Sequence, residues 1–536
     1  MSTYADYLFI NGSVITVDPD DRVCQAVAVS GNRIANVGRD ADMKLFMGPR
    51  TEVIDLRGRT LLPGFVDAHC HTDLYGLNQM AIECTPYKVS SIEDIKAKVA
   101  EAAKTTPKGG WIICWGYDQT ELAEQRHPNR HDLDAVAPEH MVAVIRTCSH
   151  VQAVNSAVLQ AVGYAQGVAD PEGGHIVKDE KGEPTGLLYE TARDPVMSLN
   201  AGSEDELTKG LELLNRDFLA YGITSVQDAT GRSIAQVRVW QKALEDGRLK
   251  LRTYFMPRLS GAVTVGQTYL ETGLRTGFGN DMLKLGPLKL MVDGSVGGSS
   301  AAVRQAFPAD PNNFGILYMS QEELDRQILA GHLGGWQLAV HAIGDKALEM
   351  VLTSYERALT AHPKENHRHR IEHFSLPDKA MVDKAKELGI IPVLGVPFIY
   401  PHGNSYLQIL GEERTKGMLP LKSLVERGMI AALSSDAPII DPNPMRGLYA
   451  AVTRKSKFGT QVAPEEAVDI KTAIRAHTLW GAYTSFEEDI KGSIVPGKLA
   501  DLTVLSGDIL KAEDEEILEL KADMTMVDGQ VQYQRV

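Results

Sequence analysis

The sequence is poor in cysteine, in positive charge and in long apolar runs, and each shortage excludes a class of protein. No C-x-x-C pair occurs, which argues against a disulfide framework or a thiolate zinc site and favours a reducing, cytoplasmic setting. The formal net charge of −15 argues against nucleic acid or an anionic membrane as a partner, because phosphate binding requires a basic surface. No run approaches about 18 apolar residues, and residues 1–13 lack the basic and apolar regions of a signal peptide. The cysteines are Cys24, Cys70, Cys84, Cys114 and Cys148.

Short strands dominate both ends of the chain. Residues 6–56 contain apolar runs separated by Gly, Asn and Asp, and no G-x-G-x-x-G follows any of them, which excludes a dinucleotide-binding fold. The C-terminal residues also contain short, strand-like apolar runs, and Asp528-Gly529 among them is a hairpin signal. We expect residues 1–58 and 490–536 to form one β-sandwich domain. Two independent appendages are the alternative, but neither piece is large enough for a good core.

Residues 59–489 alternate apolar, strand-like runs with helical stretches, which is typical of βαβ units. With the strand that ends at His71, they predict an α/β fold, a (β/α)8 TIM-like barrel with its active site at the carboxyl ends of the strands. Residues 75–200 are too long for a loop and predict an insertion subdomain over the barrel mouth. The other predicted strands are 222–229, 251–256, 285–293, 337–343, 369–374, 389–396 and 429–436, with helices at 204–220, 321–333, 345–360, 377–387 and 422–427.

The segment LLPGFVDAHCH, residues 61–71, is the most informative stretch. Side chains alternate between the two faces of a strand, so His69 and His71 point the same way and Cys70 points away. Two imidazoles on one strand end suit a borderline-soft divalent metal such as zinc. Two surface histidines could have the same spacing by chance. Whether these two bind a metal therefore depends on the residues at the ends of the other strands.

Lys289 lies inside the apolar run GPLKLMVDG. Burial of a lysine is costly unless a partner or a lowered pKa compensates. One interpretation is an ion pair with Asp293, which shares its strand face. The other is that carbon dioxide carbamylates Lys289 and that the carbamate bridges two metals, since a desolvated, partly neutral amine is the reactive form.

Three more polar residues end predicted strands. His341 follows an apolar run, and His373 ends the run RIEH; each could be a hydrogen-bonded core histidine, but the strand-end position favours a metal ligand. Asp436 could cap the next helix, yet opposite an H-x-H it is better interpreted as a ligand and proton shuttle. His367 and His402 lack such a setting and are expected in surface or loop positions.

The chain resembles the metal-dependent amidohydrolase superfamily. Five segments match the metal-site motifs of that superfamily in the same order: PGFVDAHCH, LKLMVDGS, AVHAIGDKA, RIEHF and SSDAP. GSIVPGKLADLTVL matches its C-terminal return into the β-sandwich, so the resemblance covers essentially the whole chain. VDGSVGGSSAA and GEPTGLLYE are typical of the branch that contains N-substituted formamide deformylases.

The resemblance implies a binuclear centre. One metal would be held by His69, His71, carbamylated Lys289 and Asp436, and a second by the same carbamate with His341 and His373. Zinc is expected, although manganese, iron or cobalt would also suit these ligands. A hydroxide bridging the metals would attack the carbonyl carbon of an amide, N-formyl, lactam or related small molecule, and the C–N bond would break as Asp436 delivers the proton to the leaving nitrogen. His150 would contact the substrate, the alternative being a structural hydrogen bond within the insertion.

Other functions remain open. An aminohydrolase (deaminase) with one metal is an alternative, but that class typically has no bridging lysine. A lyase or decarboxylase on the same scaffold would also use the metals, and a non-catalytic scaffold would be expected to lack ligands that this chain retains. Family habit implies a dimer or a larger assembly, and we expect a homodimer; the cytoplasmic location is expected from the cysteines alone.

Overall fold

The computed structural model describes residues 4–231, 233–260 and 265–535. Strands in this part of the chain form five sheets. Two sheets are built from the terminal segments, two are parallel and come from the central segment, and one lies in the segment after residue 75. This α/β content agrees with the fold class predicted from the sequence.

One of the terminal sheets joins the two ends of the chain. The strand Leu502–Leu505 pairs antiparallel with Thr60–Pro63, with Thr503 opposite Leu62. A buried cluster that includes Phe9 and Val504 lies between this sheet and the other terminal one. In spatial order the joined sheet is Gln530–Gln534, Ala522–Val527, Leu502–Leu505, Thr60–Pro63, Ser13–Ile15 and Val23–Cys24, and the other is Arg33–Gly38, Ala26–Ser30, Tyr7–Ile10 and Glu52–Asp55.

The central segment forms two parallel sheets. Their strands are short and buried on both faces, as expected for parallel strands covered by helices. The first sheet has the order Leu283–Leu285, Arg252–Phe255, Ile223–Asp228 and Phe65–Cys70, and the second Leu288–Met291, Leu338–Ala342, Arg370–His373, Ile391–Leu394 and Ala432–Leu433. These positions confirm the predicted strands except for 285–293.

The predicted strand 285–293 is broken in the structure. Leu283–Leu285 belongs to one parallel sheet and Leu288–Met291 to the other. Pro287 lies at the break, and a proline has no N–H to donate to a strand ladder. Backbone hydrogen bonds nevertheless connect the two sheets here, from Lys289 N to Pro257 O at 2.9 Å and from Leu259 N to Lys289 O at 2.8 Å.

Helices alternate with the parallel strands. Glu204–Ala220 and Gln321–Leu333 coincide with their predictions, and each begins at a serine N-cap whose hydroxyl accepts a backbone N–H. The others in this segment are Thr72–Asn78, Ile234–Glu245, Gly266–Thr272, Asp345–Ala361, Lys379–Glu387, Ile399–Leu410, Glu412–Thr415, Leu421–Glu426, Pro444–Thr453, Ile470–Ala476 and Leu479–Thr484. None of the described helices is long and apolar enough to cross a membrane.

The segment after residue 75 has its own sheet and its own apolar clusters. One cluster is built around Ile112, Val142 and Leu133. The strand order is Gly174–Lys178, Pro184–Glu190, Val151–Val154, Met141–Arg146, Trp111–Tyr117 and Ile82–Glu83, and the helices are Ile92–Ala103, Arg130–Asp134, Ser156–Ala161 and Asp194–Leu199.

Candidate metal centre

The structure brings the predicted ligands together at the carboxyl ends of the parallel strands. His69 and Lys289 lie on strands of the first and second parallel sheets, and both are buried to within 1% exposure. His341 and His373 lie at or near the ends of neighbouring strands, and their ring centroids are 4.5 Å apart. Asp436 follows the strand Ala432–Leu433, and its backbone N–H donates to the carbonyl of His69 at 2.8 Å.

His69, His71 and Asp436 form a group of potential ligands whose donor atoms lie within 4.8 Å of one another. Asp436 Oδ1 is 2.9 Å from His71 Nε2 and 3.4 Å from His69 Nε2, yet this buried oxygen has no partner with hydrogen-bond geometry. Two ligand atoms bound tetrahedrally to one zinc ion lie about 3.3 Å apart. The spacing and the orphaned oxygen therefore fit a shared divalent cation.

Glu372 and Arg370 hold His69 in the form that binds a metal. His69 Nδ1 donates to Glu372 Oε2, and Arg370 Nε donates to Glu372 Oε1 at 2.5 Å. Burial lowers the pKa of His69 to about 4, so the imidazole is neutral near pH 7 and Nε2 keeps its lone pair. A metal-binding histidine usually donates the N–H of its other ring nitrogen to a carboxylate, which fixes the orientation of the ring.

The other histidines are oriented in a similar way. His71 Nδ1 lies 3.0 Å from Thr230 Oγ1, which leaves Nε2 facing Asp436. His341 Nε2 donates to the carbonyl of Gly294 at 3.1 Å, so Nδ1 is its available ligand atom. Burial also lowers the pKa of His71 and of His373. The lowered pKa values favour the neutral rings of His71 and His373, as metal binding requires.

Lys289 is buried beside His69, with its Nζ 3.3 Å from His69 Nε2. Burial lowers the pKa of Lys289 to about 8, so about a tenth of the amine is neutral at pH 7, far more than for an exposed lysine. The alternative ion pair with Asp293 is wrong. The Asp293 carboxylate accepts instead from three backbone N–H groups, those of Ala302, Ile343 and Gly344.

The alternative role of Asp436 as a helix N-cap is also wrong. Asp436 does not cap the next helix, because Pro444–Thr453 begins after Asn443, whose side chain accepts from Met445 N. The Asp436 side chain instead contacts the histidines described above. It is therefore available to a metal and to a substrate.

A model of the amidohydrolase family matches residues 52–533. This chain belongs to the amidohydrolase family. It is 31% identical over 543 residues to the amidohydrolase YtcJ of Bacillus subtilis strain 168, with 98% of each chain covered. It is 30% identical to the N-substituted formamide deformylase of Arthrobacter pascens, over 100% of this chain and 99% of the relative.

A solved structure agrees with this assignment. An uncharacterized metal-dependent hydrolase from Pyrococcus horikoshii OT3 superposes with a TM-score of 0.77 at 25% identity, covering 95% of this chain and 99% of the other. This amidohydrolase is accordingly a metal-dependent hydrolase that acts on carbon–nitrogen bonds.

Two cavities meet at the candidate ligands of this amidohydrolase. The larger, of about 280 Å³, is lined on one side by Phe398, Tyr406, Ile409, Met418, Leu419 and Ile439. The smaller, of about 80 Å³, is lined by polar groups that include Lys289, Glu190, Tyr318 and Arg193. His341, His373 and Asp436 line both cavities. A third cavity, of about 270 Å³, adjoins the smaller one beyond Tyr318 and Met291 and touches none of these ligands.

His150 also lines both cavities, and its ring centroid lies 6.0 Å from that of His341. Its Nδ1 is 2.6 Å from Glu190 Oε2, and Tyr318 donates its hydroxyl hydrogen to the same oxygen. Burial would lower the pKa of His150, but the Glu190 carboxylate outweighs it and raises that pKa. His150 therefore faces the metal centre with one ring nitrogen fixed.

Sequence reasoning missed several residues of the site. Arg193 gave no strand-end or spacing signal, whereas Glu190 could have been found at the end of GEPTGLLYE and of the strand Pro184–Glu190, and Glu372 as an acid buried next to His373. His402 is not a simple surface residue, because it lies on the helix Ile399–Leu410 and lines the larger cavity. His367 is also buried, at 8% exposure.

Proposed function

We propose that this amidohydrolase hydrolyses the C–N bond of an amide, N-formyl, lactam or related small molecule at a centre of two divalent metals, zinc being the first candidate. His69, His71, Lys289 and Asp436 would hold one metal, and Lys289, His341 and His373 the other. The observation that carries the proposal is the group formed by His69, His71 and Asp436, whose donor atoms face one another without hydrogen-bond geometry.

Lys289 would serve both metals as a carbamate. The neutral amine adds to carbon dioxide, an N–C bond forms, and one proton is released to solvent. Its burial and its lowered pKa favour this reaction. A carbamate offers two oxygen atoms where the amine offers one nitrogen, which is why the same residue can belong to both ligand sets.

When bound, the metals would lower the pKa of a water molecule and polarise the scissile carbonyl. Asp436 accepts the proton of that water and delivers it to the leaving nitrogen, so that the amine departs neutral. Asp436 lines both cavities and so can reach the two sides of the bond that breaks. His150, whose Nδ1 is held by Glu190, lines the same two cavities and would contact the substrate there.

The architecture proposed for the central segment is a closed (β/α)8 barrel. Two observations support closure of the parallel sheets into one barrel: the backbone ladder between Lys289 and residues 257–259, and the bond from Asp436 N to His69 O at 2.8 Å. We further propose a β-sandwich domain from residues 1–58 and 490–536, supported by the pairing of Leu502–Leu505 with Thr60–Pro63. The segment 75–200 would be a subdomain over the barrel mouth, supported by its separate sheet.

A deaminase with one metal is the second candidate, because the three-residue group by itself provides ligands for one ion. A lyase or decarboxylase would need the same metals. The position of Lys289 beside His69 argues for the binuclear hydrolase, since a lysine is not required for a single ion at this group.

The test is hydrolysis of a panel of N-formyl compounds, simple amides, lactams and aminated heterocycles by the metal-loaded enzyme. We expect release of an amine with a carboxylate, and a fall of about 10²–10⁴-fold in kcat for Asp436→Asn. The exposed-residue change Asp246→Asn is the matched control and should leave kcat unchanged. Ammonia release from a heterocycle alone, or full activity of Asp436→Asn, would contradict the proposal.

A further inference from the structure

Arg193 is a buried cation that forms no ion pair with a carboxylate of the described residues. The residue is 6% exposed, and its guanidinium donates one hydrogen bond, to the carbonyl of Ser149. Its buried Nε has no hydrogen-bond partner, and no carboxylate of the described residues forms an ion pair with it. An arginine stays protonated in proteins, so this positive charge is retained in the interior, where Glu190 and Asp194 attract it without forming an ion pair.

Arg193 lines the smaller of the two cavities that meet at the metal centre. The acidic side chains around this cavity have other contacts, although Glu190 Oε1 and Asp436 Oδ1 have no hydrogen-bond partner. Glu190 accepts from His150 and Tyr318, Asp436 belongs to the ligand group, and Asp194 has a contact of its own. The free donor of Arg193 therefore points to an anion supplied from outside the chain.

The cavity volumes indicate the size of that anion. A protein cavity of about 150 Å³ holds benzene, which corresponds to about 25 Å³ for each non-hydrogen atom. By this measure the smaller cavity, of about 80 Å³, holds at most three or four such atoms, because the proposed metals on Lys289, His341, His373 and Asp436 would share it. The larger cavity, of about 280 Å³ with an apolar wall, holds about eleven.

We propose that Arg193 and the smaller cavity form a subsite for a small carboxylate, namely the acid released from the acyl side of the substrate. The inference rests on the proposed C–N hydrolysis: water adds to the carbonyl carbon, the C–N bond breaks, and the products are a carboxylate and an amine that keeps the proton. The subsite assigns a direction to the substrate, with a one- or two-carbon acyl group towards Arg193. The amine, which carries the apolar substituent, occupies the larger cavity.

A purely structural role for Arg193 makes a different prediction. Through Ser149, whose backbone has φ of 57°, Arg193 could only position the loop that carries His150. Its loss would then lower stability and kcat without selective loss of carboxylate binding. A comparison of charged and neutral ligands of one shape separates the two roles.

The experiment is calorimetric titration of the metal-loaded enzyme with sodium formate and sodium acetate, and with nitromethane as a neutral molecule of the same shape as acetate. The variants are Arg193→Met, which removes the charge, and Arg193→Lys, which keeps it. Arg304→Met, at a surface arginine, is the matched control. Thermal unfolding of each variant reports folding.

We expect the Kd of formate and acetate to rise at least tenfold in Arg193→Met and less in Arg193→Lys, with nitromethane and Arg304→Met unchanged. Butyrate should bind more weakly than acetate to the wild type. Equal carboxylate affinity in wild type and Arg193→Met would overturn the proposal, as would no carboxylate binding by the wild type. Should Arg193→Met fail to fold, Arg193→Lys is the deciding variant. A lysine lacks the planar fork of an arginine, so the Kd of formate and acetate should still rise several-fold. An unchanged Kd would overturn the subsite.

The experiments distinguish failure of the carboxylate subsite from failure of the proposed hydrolysis. Carboxylate binding that depends on Arg193, without hydrolysis of any panel compound, would remove the hydrolase proposal and leave an anion subsite. Hydrolysis with a Kd for formate that does not depend on Arg193 would keep the hydrolase and remove the subsite.

Discussion

At the scale of single residues, the candidate metal ligands are held in position by hydrogen-bond partners on the side away from the proposed metal. His69 has a buried carboxylate behind it and His71 a threonine hydroxyl. Burial alone would raise the pKa of Glu372, but Arg370 and His69 outweigh it and lower that pKa far below its usual range. The ring of His69 is thus held by a permanent negative charge.

Glu372→Gln should weaken metal binding more than Thr230→Val. Loss of such an outer partner typically costs about 10–100-fold in metal affinity, and the ionised partner is the stronger of the two because charge-assisted hydrogen bonds are about twice as strong as neutral ones. The measurement is competition for the metal with a chelator, with exposed-residue variant Glu349→Gln as control. Equal effects of Glu372→Gln and Thr230→Val would contradict this ranking.

Every candidate ligand except Lys289 could be predicted because it ends an apolar run, and strand ends in a parallel sheet lie at one edge; Lys289 was signalled as a lysine inside such a run. Arg193 had no signal, and Glu190 was signalled only by its place at the end of GEPTGLLYE, since both reach the site from the segment after residue 75. Their contacts depend on how that segment packs, which no local pattern encodes. The partner of Lys289 was also uncertain, because Asp293 shares its strand face but bonds to backbone N–H groups.

At the scale of elements, the helix after the H-x-H motif is fixed by a close backbone contact. Thr72–Asn78 crosses Glu204–Ala220 at Gly76 and Gly210. A Cβ atom added at Gly76 would lie 2.5 Å from the Cα of Gly210. The contact therefore requires glycine and sets the position of the segment that follows His71.

Gly76→Ala should lower the free energy of unfolding by about 1–3 kcal/mol, the usual cost of overpacking. The clash is with backbone, which cannot move aside as a flexible side chain would. Urea unfolding measures the change, and Lys209→Ala, on the exposed face of the facing helix, should change stability by less than about 0.5 kcal/mol. A Gly76→Ala variant as stable as the wild type would show that the helices separate without cost.

Element prediction was accurate where periodicity was strong. Glu204–Ala220 and Gln321–Leu333 coincide with their sequence predictions because each has a serine cap and an apolar stripe. It was wrong at 285–293, where one apolar run serves two sheets. The helix Ile399–Leu410 is absent from the helices predicted from the sequence, since the residues before it carry no helical start signal.

At the scale of the whole molecule, buried ion pairs tie distant segments together. Glu487 Oε1 lies 2.8 Å from Lys284 Nζ, and its Oε2 lies 2.8 Å from Lys491 Nζ. Lys284 is on a parallel strand and Lys491 precedes the C-terminal strands. Burial alone would raise the pKa of Glu487, but the two lysines outweigh it and lower that pKa to about 2.

This pair predicts a pH dependence of stability. The folded pKa of Glu487 lies below the unfolded value of 4.5, so its contribution is complete above pH 4.5 and is lost as the pH falls towards 2. The full contribution is about 3 kcal/mol. We expect the difference in urea midpoint between wild type and Glu487→Gln to shrink from pH 5 to pH 3, while the exposed control Glu519→Gln shows no such trend. A difference that is constant with pH would contradict the assignment.

The central claim is that Lys289 connects two metals. Elemental analysis of protein purified without chelator should find about two divalent metals per chain in the wild type and in the control Lys209→Ala. In Lys289→Ala the content should fall sharply, since both ligand sets lose the shared residue. One metal per chain that is unchanged in Lys289→Ala would contradict the binuclear centre and favour the deaminase.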